Sequence, residues 1–213
     1  MSKGPLIGLV LTALAGWVDA IGYLRLGGFF PSFMSGNTTQ LGIALSHANW
    51  ISAALPALLV GLFVTGAFAG ATIADCGTRW RFVVCFLLET LLLGTAVLLS
   101  AAQSDVALAV APLPVAMGLQ NVTARRVNQS GVGITFVTGT LVRLGEALAR
   151  AARRQEGLAS LIPALTWFAM TAGAVGGAAA YLALGPLALA LPAFCAAVAT
   201  VLAAGAALAA PAR

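Results

Sequence analysis

Six stretches of this chain are too long and too free of charge for a soluble domain. They fall at about 5–24, 51–74, 82–102, 106–124, 158–184 and 186–209. A helix rises ~1.5 Å per residue, so about 20 apolar residues cross the ~30 Å hydrocarbon core of a bilayer. Six such runs in 213 residues leave little chain for anything else. Charged residues make up 8% and the mean hydropathy is +1.00, against about 25% charged in soluble domains. The expectation is an all-α integral membrane protein with six transmembrane helices. Lys3 followed by "PLIGLVLTALAG" imitates a signal peptide. Gly16 and Asp19, however, belong to a pattern that recurs later, so this first run is read as a retained span.

The basic residues sit at span ends, which is what membrane topology requires and not what a nucleic-acid surface would show. Arg79 and Arg81 separate the second and third spans. Arg125 and Arg126 end the fourth, Arg150, Arg153 and Arg154 precede the fifth, and Lys3 and Arg213 mark the termini. With these sites on the cytoplasmic side, Arg25 alone is left outside, and Gln103, Ser104 and Asp105 form an external turn. Both termini are therefore expected in the cytoplasm.

An internal repeat divides the chain. "GWVD" at 16–19 matches "GLQN" at 118–121, an offset of 102. "FMSGN" at 33–37 matches "FVTGT" at 136–140, an offset of 103, and "GAFAGA" at 66–71 matches "GAVGGA" at 173–178, an offset of 107. The matches keep their order. Each unit, 1–104 and 105–213, holds three spans, so an odd count inserts the second unit upside down. The pattern predicts a 3+3 inverted-topology repeat, an architecture of secondary transporters whose site lies near the midplane between the repeats.

Each half also carries a segment too apolar for a solvent loop and too short to span, at 36–45 and 139–148. Ten residues give about 15 Å of helix. The Gly- and Pro-containing runs "LGGFFPSF" at 26–33 and "NQSGVGITF" at 128–136 break the chain before each. Ser35 and Thr138 stand where N-caps would stand. Read as re-entrant half-helices, the two segments would point free amides and the positive ends of their dipoles at a common site. Gly36 and Gly139 would allow close approach there. Ser35, Gly36, Asn37 and Thr38 line it from the first half, and Thr138, Gly139 and Thr140 from the second. The other placement is flat in the membrane interface, which Arg143 and Glu146 favour for the second copy.

Two carboxylates fall inside spans, Asp19 in the first and Glu89 in the third. Such groups cost about 2.5–3.5 kcal/mol at a helix centre on insertion scales and default to functional hypotheses. Both are candidates for proton coupling, with Asp19 and Tyr23 also in the solute site. Gln120 and Asn121 add neutral hydrogen-bonding groups, and Asn121 is the repeat counterpart of Asp19. The plainer alternatives are an Asp19–Arg25 pair near the headgroups and a structural, hydrogen-bonded Glu89. Gly66/Gly70 and Gly173/Gly177 have the spacing of close helix packing. Cys76, Cys85 and Cys195 are expected as buried, inert thiols without metal-ligand spacing. With a single histidine, His47, and no nucleophile–base pattern, the chain is not read as an enzyme. No cofactor or metal is expected.

The stretches "GWVDAIGYLRLGGFFPSFMSGNTTQLG" (16–42) and "MGLQNVTARRVNQSGVGITFVTGTLVRLG" (117–145) resemble the YoaK-like family of bacterial membrane proteins. The resemblance covers both halves. It maps the family's motif positions onto Gly16, Asp19, Ala20, Gly22, Tyr23, Gly36, Asn37, Gly118, Gln120, Asn121, Thr138 and Gly139. Ser35 stands where the resemblance implies Thr in many relatives, which keeps the hydroxyl, and Val122 where it implies Ala. It implies a multi-pass protein of the bacterial inner membrane and supplies no substrate. The functional expectation is a secondary transporter of a small polar or anionic solute, proton-coupled, working by alternating access. A channel, and a lipid-handling or partner-binding protein without transport, are the alternatives. Its partners would be the bilayer, the solute and, in a dimeric form, a second copy.

Overall fold

The computed structural model describes residues 4–102, 105–128, 137–153 and 162–209. Among these residues every regular element is helical. The order is α1 (Gly4–Leu26), α2 (Met34–Ser46), α3 (Trp50–Asp75), α4 (Arg81–Ala101), α5 (Val106–Val110), α6 (Pro112–Asn128), α7 (Val137–Ala152), α8 (Ile162–Leu184) and α9 (Ala190–Ala209). A 3-10 turn, Gly185–Leu189, joins α8 to α9. Five runs are long and apolar enough to cross a membrane, and the last, Ile162–Ala209, contains both α8 and α9. The six predicted spans thus correspond to α1, α3, α4, α5–α6, α8 and α9. Lys3, the 103–104 turn, the breaker segment 129–136, Arg154 and Arg213 lie outside the described residues.

Local chemistry explains the breaks. Asn49 caps α3 by accepting the Ser52 amide at 3.0 Å. Asp105 caps α5 with Oδ1, which accepts the amides of Ala107 and Leu108 at 2.9 and 3.2 Å. Pro112 and Pro114 fall where α5 gives way to α6, since proline cannot continue the backbone ladder there. The fourth span is therefore two helices in succession.

The short helices differ from their predicted bounds. α2 runs over 13 residues and α7 over 16, longer than the ten expected of each. Ser35 is not an N-cap: Phe33 occupies that position, without a side-chain hydrogen bond, and Ser35 lies inside the first turn. Thr138 likewise lies within α7, one residue after its start. Each helix buries one narrow stripe, Asn37 and Ala44 in α2 and Thr140 and Ala147 in α7, positions again separated by 103. α2 leans on α3 and α7 on α8.

The long helices pair between early and late parts of the chain. α1 packs on α8, α3 on α6 and α4 on α9. Glycine makes the first two crossings close. A Cβ built on Gly16 would strike the Met170 carbonyl oxygen and the Ala174 amide. One on Gly118, 102 positions later, would strike the Phe63 oxygen and the Ala67 amide, which stand 107 positions earlier than their counterparts. Gly66 abuts the Val115 backbone as Gly173 abuts that of Ala13. Gly70 faces Leu119 as Gly177 faces Trp17. The small-residue stripes do what their spacing predicts: they let backbones touch, which is how helices associate without a hydrophobic drive between them. Around them packs a core of Leu11, Val18, Ile21, Leu93, Leu113 and Met117 with their neighbours. Of the thiols only Cys85 is buried; Cys76, at the end of α3, is exposed, contrary to expectation.

Candidate functional site

The sequence-predicted residues gather in three places rather than one. The first lies where α1 turns back into α2. Asp19 is 4% exposed, and both its oxygens are taken by one residue that the sequence reading passed over. The Ser32 amide donates to Oδ1 at 2.6 Å and the Ser32 hydroxyl to Oδ2 at 2.7 Å. Arg25, the alternative partner, instead donates from Nη1 to the Ser100 hydroxyl on α4. Asp19 is therefore an anchor for the loop and not half of an ion pair with Arg25.

Asn37 completes the anchorage. It is fully buried, accepts the Phe30 amide at 3.1 Å and donates to the Phe30 carbonyl at 2.7 Å, so one side chain satisfies both backbone groups of one residue. Gly27 and Gly28, at φ 66° and 113°, adopt left-handed backbone that lets the chain reverse after α1. Gly22 leaves room for the Pro31 ring. Tyr23, half exposed, packs on Phe30 at 5.0 Å between ring centroids, and Phe30 meets Phe33 edge-on at 5.3 Å. The space over Gly36 is filled: a Cβ there would lie 2.8 and 2.9 Å from the Phe33 ring. Gly36 thus makes room for an aromatic side chain of its own loop. Ser35 and Thr38 are exposed, and the Thr38 hydroxyl donates to Met34 O at 2.8 Å.

The second place lies between α4 and α6. Glu89 and Gln120 are each 1% exposed, and Gln120 Nε2 donates to Glu89 Oε1 at 2.8 Å. The remaining oxygens, Glu89 Oε2 and Gln120 Oε1, are buried without a partner. Gln120 therefore turns toward α4. Its neighbour Asn121 donates to Met117 O at 3.0 Å. Thr123, also fully buried, returns its hydroxyl to Leu119 O at 2.9 Å.

The third place is the start of α7, where Thr140 is buried, Gly139 half-buried and Thr138 exposed. The residues missed from sequence, Ser32 and Phe30, sit in the breaker run "LGGFFPSF". The serine directly after Pro31, flanked by phenylalanines, is the sequence signal for a second polar partner.

A family model described as "Protein of unknown function (DUF1275)" matches residues 7–202. The UPF0700 transmembrane protein RA0705 of Rhizobium meliloti (strain 1021) is 37% identical over 190 residues, covering 87% of this chain and 81% of that protein. The UPF0700 transmembrane protein YoaK of Bacillus subtilis (strain 168) is 30% identical over 146 residues, covering 64% of each chain. No solved structure matches significantly. Span content, motif residues and these similarities converge, and the chain belongs to the DUF1275 family, among the YoaK-like transmembrane proteins.

Proposed function

We propose that this protein is a secondary transporter of a small polar solute, working by alternating access between two inverted halves, 1–104 and 105–213. One observation carries the reading: the glycine crossings are duplicated position by position, and each joins a helix of one half to a helix of the other. Three spans per half make the second copy inverted, and close, small-residue contacts between halves suit the rocking of one against the other. In this scheme α2 and α7 are re-entrant, entering from opposite faces of the bacterial inner membrane.

The polar chemistry narrows the solute. An anion at the start of α2 would compete with Asp19, whose carboxylate already holds the Ser32 amide and also engages the Phe33 amide beside the helix N-terminus. A neutral, hydrogen-bonding solute fits beside it; an anion fits only when Asp19 carries a proton. Counterflow into proteoliposomes is the test, using solutes first selected by thermal shift of the purified protein. Accumulation of labelled solute against an unlabelled internal pool is expected. Leak without counterflow identifies a channel, and silence across polar metabolites returns the chain to a partner-binding role.

The orientation has its own test. Cys76, exposed between α3 and α4, should resist an impermeant maleimide in intact cells, whereas His47→Cys in a background without native cysteines should label. Labelling of Cys76 from outside would reverse the assigned topology and with it the entry faces of α2 and α7.

A further inference from the structure

We propose that Glu89 and Gln120 form a proton-holding acid–amide pair that fastens the first half of the chain to the second. The inference deepens the transport reading by naming the residue that couples it to protons, but its evidence is the geometry of the pair. Glu89 is the ninth residue of α4 and Gln120 the ninth of α6, so the contact lies well inside both helices. One hydrogen bond is made, from Gln120 Nε2 to Glu89 Oε1 at 2.8 Å. The two atoms left over, Glu89 Oε2 and Gln120 Oε1, are both acceptors and cannot satisfy each other. A buried acceptor without a donor costs about 1–3 kcal/mol. One hydrogen removes both deficits: a proton on Oε2 donates to Gln120 Oε1 while Nε2 keeps its bond to Oε1.

The surroundings fit a proton better than a larger donor. Both side chains are closed to solvent at 1% exposure. Among the described residues, the titratable groups within the packed elements are Cys85, one turn before Glu89, Cys195 on α9, and Asp19 and Tyr23 on α1, where Asp19 is held by Ser32 and Tyr23 is half exposed. Charged groups sit at the ends of these helices. Arg126 is paired with Asp75 at 2.8 Å, Arg125 is exposed, Arg81 opens α4, Asp105 caps α5, and Arg25 reaches α4 only at Ser100. Ser100 is eleven residues, or about 16 Å, along the helix from Glu89. The 3-10 turn contributes no titratable side chain.

Release follows simply. The Oε2–H bond breaks, its electron pair stays on Oε2, and the proton passes to water entering from one side. The carboxylate then faces the amide oxygen, two acceptors opposed, and the contact between α4 and α6 loosens. Proton binding and the packing of the halves become one equilibrium.

Infrared spectroscopy of the protein in lipid tests this directly. At neutral pH the wild type should show the carbonyl stretch of a protonated carboxyl group. Glu89→Gln, which keeps the shape and can make both hydrogen bonds to Gln120, should stay folded and lose that band. Gln120→Leu should keep the band but move it to higher frequency, because the carbonyl loses its amide donor. Absence of the band in wild type overturns the proposal. So does a band that survives Glu89→Gln, which would belong to Asp19, or one that Gln120→Leu leaves in place. No transported solute is involved, so failure here leaves the transport reading to its counterflow test, and failure there leaves the pair intact.

Discussion

Gly66→Val and Gly173→Val are expected to abolish recovery of folded, monodisperse protein, while Gly61→Val and Gly94→Val leave it near wild type. The four positions are all helical glycines, but their surroundings differ. A Cβ on Gly66 overlaps the Val115 backbone and one on Gly173 the Ala13 backbone, whereas Gly61 and Gly94 have nothing within 4 Å. A flexible side chain can turn aside, but a neighbouring helix backbone cannot without separating the pair. Overpacking a core costs about 1–3 kcal/mol even where side chains can adjust, and here the whole crossing must open. The measurement is detergent-solubilised yield and melting temperature. Equal losses at the two crossings support their equivalence, and a benign Gly173→Val with a lethal Gly66→Val would show that the two are not mechanically alike.

Asp19 gives the second large effect. Asp19→Leu should lower the melting temperature sharply, because the buried Ser32 amide and hydroxyl both lose their acceptor. Each orphaned group costs about 1–3 kcal/mol. Asp19→Asn should stay within about 1 kcal/mol of wild type, the size of one ordinary hydrogen bond. Its Oδ1 still accepts the amide, and its Nδ2 can donate to the Ser32 hydroxyl, which turns from donor to acceptor. Asn is also the residue that stands 102 positions later, Asn121. If Asp19→Asn melts as low as Asp19→Leu, the charge and not the hydrogen bonding holds the loop. The same variant divides the two carboxylates in transport. Solute exchange that has lost only its response to a pH gradient in Asp19→Asn would return the proton-carrying role from Glu89 to Asp19.

Much of the architecture was legible in the residues alone. Bilayer thickness fixes span length, so charge-poor runs located α1, α3, α4 and α9 to within a few residues. Glycine spacing announced the close crossings, because only a missing side chain lets two backbones touch. The offsets of 102, 103 and 107 reappear in space as matched contacts and matched buried stripes. Family membership followed from the same motifs.

Partner choice was another matter. Nothing local says that Asp19 takes Ser32 thirteen residues away, that Arg25 passes it for Ser100, or that Gln120 turns to Glu89 on another helix. Sequence determines which side chains need hydrogen bonds and on which helix face they stand. It leaves open which donor or acceptor meets them, because that depends on how helices separated by many residues are rotated and staggered against one another. For the same reason Gly36 read as an approach path for a ligand, while the folded loop places its own Phe33 there. The chain determined its apolar helices and their glycine crossings through length and side-chain size; tertiary packing decided which polar groups are satisfied and which oxygens are left over.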